Sequence, residues 1–484
     1  MIKRQLLYSL IPISICAALI SSHNTMASEV PTLSLTATKV DSEHFNGERI
    51  EAALNEYIYP LIGAYIDLEF VEMERYNQVF SKYIASGQIP DIFTIAENLS
   101  LDSLINQDLL LPLDELLSKY GQGILSAVDS ESLIPYTIQE QIYGIPSLHD
   151  RACSYGFEYR VRIAEEYNLD MENVQTLDDL TEIFSQLKTQ NPDIIPCCET
   201  AYQTWDSLND NLGVLMDGGK NSKITNLYES DVFEKFCQRV NLWNQKDYLL
   251  TDDIGYLSIN QYVNSPEIFG KFSGCHPGLI YVDSADAGEE IACIPLTEPF
   301  LSTEVMTRNA FFLSSNCKYP EIAMKFLNLL YTDPHVVNLL CYGIEGIHYQ
   351  VIDKKNGIID FAEGVSKETS DYAQFRTYNW GNQYLAYIWN GYPTNLWQQI
   401  QDFNKNTPRS AAYGFRYDPS PVQTEVDACN QIKETYLPLL NAGVGNVDEI
   451  LTEFQNELQK AGINKIISEK QRQLDEFLRN KESS

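Results

Sequence analysis

Positive charge is scarce in this 484-residue chain: 34 Lys and Arg stand against 67 Asp and Glu, a formal net charge of −33. The excess is spread along the chain without an acidic run, so it repels phosphate-rich partners and anionic membrane surfaces. That excludes nucleic acid as a partner. Histidine is scarcer still. Its six copies, at 23, 44, 149, 276, 335 and 348, include no two at the spacing of helical metal ligands. H-E-x-x-H, G-x-S-x-G and glycine-rich phosphate loops are absent. No cofactor and no metal is implied, and no catalytic nucleophile stands out. A glycosidase-type carboxylate pair stays open, because 67 acids allow many combinations.

Cysteine is present but unframed. Cys16 is followed by nine more, at 153, 197, 198, 237, 275, 293, 317, 341 and 429, with no C-x-x-C among them. Neither a disulfide scaffold nor a zinc site is expected, and most of these thiols read as small buried hydrophobes. Long apolar runs are also missing beyond residues 6–20. That run follows basic Lys3 and Arg4, precedes polar 21–25, and is too short to span a bilayer comfortably. It reads as an export signal. Thr25-Met26-Ala27 offers small residues for cleavage, making 1–27 the signal peptide and Ser28 the mature start. Ile13-Ser14-Ile15-Cys16 resembles a lipobox, in which Cys16 would be lipidated and tether the protein to the outer face of the membrane. Lipidation and cleavage near Ala27 both remain open, since Ile15 occupies a position where lipoboxes carry Gly, Ala or Ser.

The length suits two or three domains. Residues 32–40 alternate Leu33, Leu35 and Ala37 with polar neighbours, as a strand does; 50–59 reads as a helix, 66–71 as a strand, 76–85 as a helix stopped at Gly87, and 92–95 as a strand. Strand and helix in alternation imply a parallel sheet. Ligands of such sheets bind beyond the carboxyl ends of the strands, which points to Lys39, Asp41, Thr94, Glu97 and Asn98. Thr176 caps a further helix with Leu177, Leu180, Ile183, Phe184 and Leu187 on one face. Residues 320–349, PEIAMKFLNLLYTDPHVVNLLCYGIEGIHY, read as two short helices, the first opened by Pro320 and the second capped by Asp333 and ended by Gly343.

The wording of 320–349 resembles a segment of the bacterial extracellular solute-binding proteins, the receptor subunits of ABC-type importers. So do Ala85-Ser86-Gly87-Gln88-Ile89-Pro90-Asp91-Ile92, Tyr143-Gly144-Ile145-Pro146, Leu177-Asp178-Asp179-Leu180 and Trp380-Gly381-Asn382-Gln383-Tyr384. Residues 403–478 resemble the C-terminal region of one branch of the family. The resemblance implies an α/β, two-lobed periplasmic-binding-protein-like fold (type II), with a ligand cleft between lobes joined by hinge crossings. Lobe 1 would take 28–148 plus 296–333, and lobe 2 would take 149–295 plus 334–484. It implies a monomeric receptor that captures a small organic solute outside the cytoplasm and delivers it to membrane permease subunits. Alternatives are a secreted carbohydrate-active hydrolase and a sensor coupled to a membrane kinase.

Aromatic residues are abundant, with 30 Tyr, 20 Phe and 5 Trp. Sugars stack their C–H faces on rings while their hydroxyls seek Asp, Asn, Glu and Arg, so an oligosaccharide is the first choice of solute. Tyr202 and Trp205 would face the cleft from lobe 2, with core packing the alternative for Trp205. Trp380, Asn382 and Gln383 are candidates by the family pattern. His149, Asp150 and Arg151 follow the Tyr-Gly-Ile-Pro segment at one crossing and Asn309 lies near another, where a salt-bridged hinge competes with ligand contact. Trp243, Trp389 and Trp397 read as core.

Overall fold

The computed structural model describes residues 30–39, 45–95, 101–198, 200, 202–250, 262, 265–303, 309–372 and 377–483. The leader with Cys16, and the candidates Asp41, Glu97 and Asn98, lie outside the described residues. Nine strands build two sheets. In chain order they are β1 (Thr32–Lys39), β2 (Tyr65–Glu72), β3 (Ile92–Thr94), β4 (Gly144–Pro146), β5 (Ser154–Arg160), β6 (Ile195–Cys197), β7 (Ile268–Cys275), β8 (Ile291–Pro295) and β9 (Ala310–Leu313).

The first sheet runs β2-β1-β3-β9-β4. β1 pairs in parallel with β2, from Thr32 opposite Tyr65 to Lys39 opposite Glu72, and in parallel with β3. β9 returns antiparallel between β3 and β4. The alternation in β1 buries Leu33, Leu35 and Ala37. Helix Gly47–Ile62 presents Ile50, Leu54 and Ile58 at four-residue spacing. Asn46 caps it by accepting the Arg49 N–H, and Gly63, at φ 71, closes it in the left-handed conformation that glycine adopts without a Cβ clash. The second sheet runs β8-β5-β7-β6, antiparallel except for β7 with β6. The helix Leu177–Gln190 packs over it behind a capping box between Thr176 and Asp179. Two sheets with separate cores, as expected, make the two-lobed α/β fold. Among the described residues no helix is long and apolar enough to cross a membrane.

The division expected at Asp333 falls inside one core. Both helices of the 320–349 segment, Pro320–Thr332 and Pro334–Tyr342, bury their apolar faces with Leu33, Leu35, Ile50 and Phe311. Asp333 caps the second helix through the His335 N–H at 2.9 Å and accepts the Tyr57 hydroxyl at 3.0 Å, which ties it to the first sheet's own helix. Tyr349, Ile359, Tyr372, Trp380 and Trp389 belong to the same core. The chain leaves it only near the helix Leu396–Asn406. After that helix, Gln423–Ala442, Val447–Ala461 and Ile463–Ser483 close a third core against Leu212, Val214, Tyr228 and Phe233.

One cysteine pair departs from the reading of most cysteines as small buried hydrophobes. β7 and β8 flank β5 on either side, and Cys275 at the end of β7 is bonded to Cys293 of β8. Gly156 of β5 lies under the bridge. A Cβ there would sit 2.6 Å from Cys275 Sγ and would also meet the Ile294 carbonyl.

Candidate functional site

Three crossings, the first at 147–153, the second from 296 and the third at 390–410, run side by side. Segment 381–383 pairs with the first crossing: the Leu148 N–H donates to the Gly381 carbonyl at 2.6 Å and the Gln383 N–H to the Leu148 carbonyl at 3.1 Å. The Phe300 N–H reaches the Cys153 carbonyl at 3.0 Å, joining the first crossing to the second, and the Ser410 N–H reaches Leu301 at 3.0 Å, adding the third. Helix Leu396–Asn406 buries Leu396, Ile400 and Asn404 on one stripe, so the same face that packs also aims an amide at the crossings. Asn404 Nδ2 donates to the His149 carbonyl at 2.7 Å, and its Oδ1 accepts the Ala152 N–H at 2.9 Å.

Beside this junction a recess of about 70 Å³ opens between the lobes. The first core contributes Tyr342, Thr377, Tyr378, Gln383, Tyr387 and Trp389. The second lobe contributes His276, Leu279 and Val282 from the end of β7 and the helix Leu279–Ala287. Asp150 stands at the crossing itself, and Tyr392, Leu396, Trp397 and Ile400 close the rim. The walls are rich in aromatic and aliphatic side chains, and several ring substituents are turned away from the space. The Tyr342 hydroxyl donates to the Tyr387 carbonyl at 2.7 Å, the Tyr392 hydroxyl to Tyr281 at 2.9 Å, and Trp397 Nε1 to Ala386 at 2.7 Å. Polar character is concentrated at two points. His276 Nε2 lies 3.0 Å from Asp150 Oδ2. Burial alone would raise the Asp150 carboxyl, yet the charge of His276 and the nearby His149 hold it down at about 2. Gln383 is only 7% exposed; its Nε2 donates to Thr377 Oγ1 at 2.6 Å, leaving Oε1 buried without a hydrogen-bond partner.

The candidates read from sequence divide on this geometry. Asp150 and Gln383 line the recess. His149 stands beside it, buried, its ring 6.1 Å from that of Tyr378 and its Nε2 unpartnered. Arg151 turns toward Asp129, with Nη2 4.0 Å from Oδ2. Asn309, at φ 54, gives its carbonyl to the Ser147 N–H at 2.9 Å, a backbone role at the same junction. Asn382 also serves the backbone, capping the turn through the Tyr384 N–H at 3.2 Å. Thr94 donates its hydroxyl to Tyr76 at 3.1 Å at the end of β3. Tyr202 packs its ring on Phe236 and Phe272 beside the second core.

Two tryptophans move out of the site. Trp205 lies in the third core, its indole N–H 2.8 Å from Asn211 Oδ1. Trp380, 2% exposed, packs edge-on to Phe70 in the first core. Both rings are covered by apolar neighbours of their own cores. Trp243 is core as expected, while Trp389 and Trp397 border both the core and the recess. Sequence reasoning missed His276, Tyr378, Tyr387 and Tyr392. The aromatic density between Tyr378 and Trp397 was the signal available for three of them; His276, alone after β7, had none.

Comparison with known proteins agrees with this architecture. The family model described as bacterial extracellular solute-binding protein matches residues 63–336, and one described as a domain of unknown function matches 411–479. A carbohydrate ABC transporter substrate-binding protein of Streptococcus pneumoniae serotype 4 is 26% identical over 452 residues, 90% of this chain and 89% of its own. The crystal structure of the N-glycan transport solute binding protein of Streptococcus pneumoniae superposes with a TM-score of 0.83 at 22% identity, covering 93% of this chain and 100% of that one. Its complex with Man1GlcNAc gives 0.79 over the same shares. With more than half of its length inside the family model, the chain belongs to the bacterial extracellular solute-binding proteins.

Proposed function

We propose that this protein is the receptor of an ABC importer that captures an oligosaccharide between its two lobes and hands it to membrane permease subunits. The observation that carries the reading is the aromatic recess at the junction of the crossings, built from both lobes. Rings offer faces to sugar C–H groups, and Asp150 and Gln383 offer acceptors to hydroxyls. The naming of the pneumococcal relative as a carbohydrate substrate-binding protein, and the glycan complex of the structural neighbour, support the same class of solute.

Capture is a hinge closure about the crossings, driven by the ligand's greater affinity for the closed arrangement. It requires no covalent step. The protein works outside the cytoplasm, as its family does. Cys16 is the proposed lipid anchor, with cleavage near Ala27 the other route; Cys16→Ser would release an anchored protein into the medium and leave a cleaved one unchanged.

Calorimetry with a panel of neutral oligosaccharides, with products followed by chromatography, tests the reading. Saturable one-to-one binding without turnover is expected. Steady release of shorter sugars would replace the receptor by a hydrolase.

A further inference from the structure

The polar lining of the recess is uneven in kind. Its donors are largely committed: Gln383 Nε2 to Thr377, the Tyr342 and Tyr392 hydroxyls and Trp397 Nε1 to main-chain carbonyls. Its acceptors are less fully committed. Gln383 Oε1 is buried with no partner, and the Asp150 carboxylate is met by His276 through Oδ2 alone, His149 Nδ1 being 3.7 Å from Oδ1. A buried acceptor left unmade is costly, so the occupant must bring donors. No Lys or Arg is among the described residues lining the space, and Arg151 is turned to Asp129. The enclosed part, about 70 Å³, takes one substituent, and the sugar ring that carries it would rest on the aromatic rim.

We propose that the recess is a subsite for a protonated amine carried by the solute, the ammonium of an amino sugar with a free amino group, seated against the aromatic walls with its N–H groups on Asp150 and Gln383. An ammonium has three donors and no acceptor, which matches a lining of less committed acceptors better than a hydroxyl with one donor. It also matches better than an acetamide, whose carbonyl needs a donor of its own. Ring faces around a desolvated cation add a cation–π attraction that a neutral group does not receive.

The inference rests on the oligosaccharide reading above, and the test separates the two. Full-length protein is titrated calorimetrically with the disaccharide of glucosamine, its N-acetylated form and cellobiose at about pH 6, where a primary amine is protonated. The free-amine disaccharide should bind about tenfold or more tightly than the other two, the scale of one desolvated cation–π contact with a charge-assisted hydrogen bond. Asp150→Asn and, independently, Gln383→Leu should erase that preference while the melting curve confirms folding. Equal or tighter binding of cellobiose or the N-acetylated sugar overturns the subsite but leaves the receptor reading intact. A preference that survives in both folded variants overturns its assignment to this recess, and failure of a wider oligosaccharide panel to bind overturns both.

Discussion

Asn404 Oδ1 accepts the main-chain N–H of Arg151 at 2.9 Å across 253 residues of sequence, so one side chain of the third crossing fixes the backbone of the first. The same amide holds the Ala152 N–H and the His149 carbonyl, and the Tyr384 hydroxyl adds a bond to that carbonyl at 3.1 Å. This contact ties two of the crossings together at one side chain.

Asn404→Leu keeps the volume on the buried stripe but strands the Arg151 and Ala152 N–H groups, the His149 carbonyl keeping the Tyr384 hydroxyl. Each buried unsatisfied group costs about 1–3 kcal/mol. Thermal unfolding should shift down by several degrees, and calorimetry should show weaker solute binding, because the lobes lose their set angle. Unchanged binding together with unchanged melting would remove Asn404 from the hinge.

Trp205→Ala and Trp380→Ala should act on stability. Truncating a buried tryptophan costs about 3–5 kcal/mol. Urea titration should register the loss in both, whereas the folded fraction should bind solute with the affinity of the parent. A drop in affinity at full stability would return these rings to the cleft.

Glu158, fully buried on β5, is pushed up to about 8 by burial first and then by neighbouring Asp283, with Lys271, 3.6 Å away, opposing both. The folded state therefore holds a proton that the unfolded chain releases in the ordinary carboxylate range. Its contribution is full below that range and is lost as pH rises toward about 8. The melting temperature of the parent should fall over that interval relative to Glu158→Gln, which carries no titrating group there. Parallel profiles would contradict the assignment.

The Cys275–Cys293 bridge closes a loop of sequence separation 18. A loop of that length contributes about 3 kcal/mol by chain entropy. Reductant, or Cys275→Ser with Cys293→Ser, should lower the melting temperature by several degrees. Mass spectrometry after thiol alkylation should show two more labelled cysteines in the reduced protein than in the native one; equal labelling would dismiss the bridge.

Local periodicity made most elements legible. The alternation of Leu33, Leu35 and Ala37, the stripe of Ile50, Leu54 and Ile58, and the caps at Thr176 and Asp333 are short-range effects, so neighbouring residues sufficed to read them. The site was legible only where it touches the chain's own punctuation. Asp150, beside the Tyr-Gly-Ile-Pro segment, and Gln383, in a family-like turn, were found that way. His276 was not, because only the closing of the second sheet carries it to within 3.0 Å of Asp150.

By itself, then, the sequence determined the alternation of strands and helices, the two-lobed family fold and the negative charge, since each follows from residue type, spacing or wording along the chain. Tertiary structure decided which aromatics line the recess and which fill the core. A tryptophan's ring fits either place equally well, and only the gap between packed layers settles whether it is covered, as Trp205 and Trp380 are, or left at a rim, as Trp397 is. It likewise decided the lobe boundary beyond Asp333 and the pairing of Cys275 with Cys293, both of which depend on residues far apart in sequence arriving on neighbouring strands and helices.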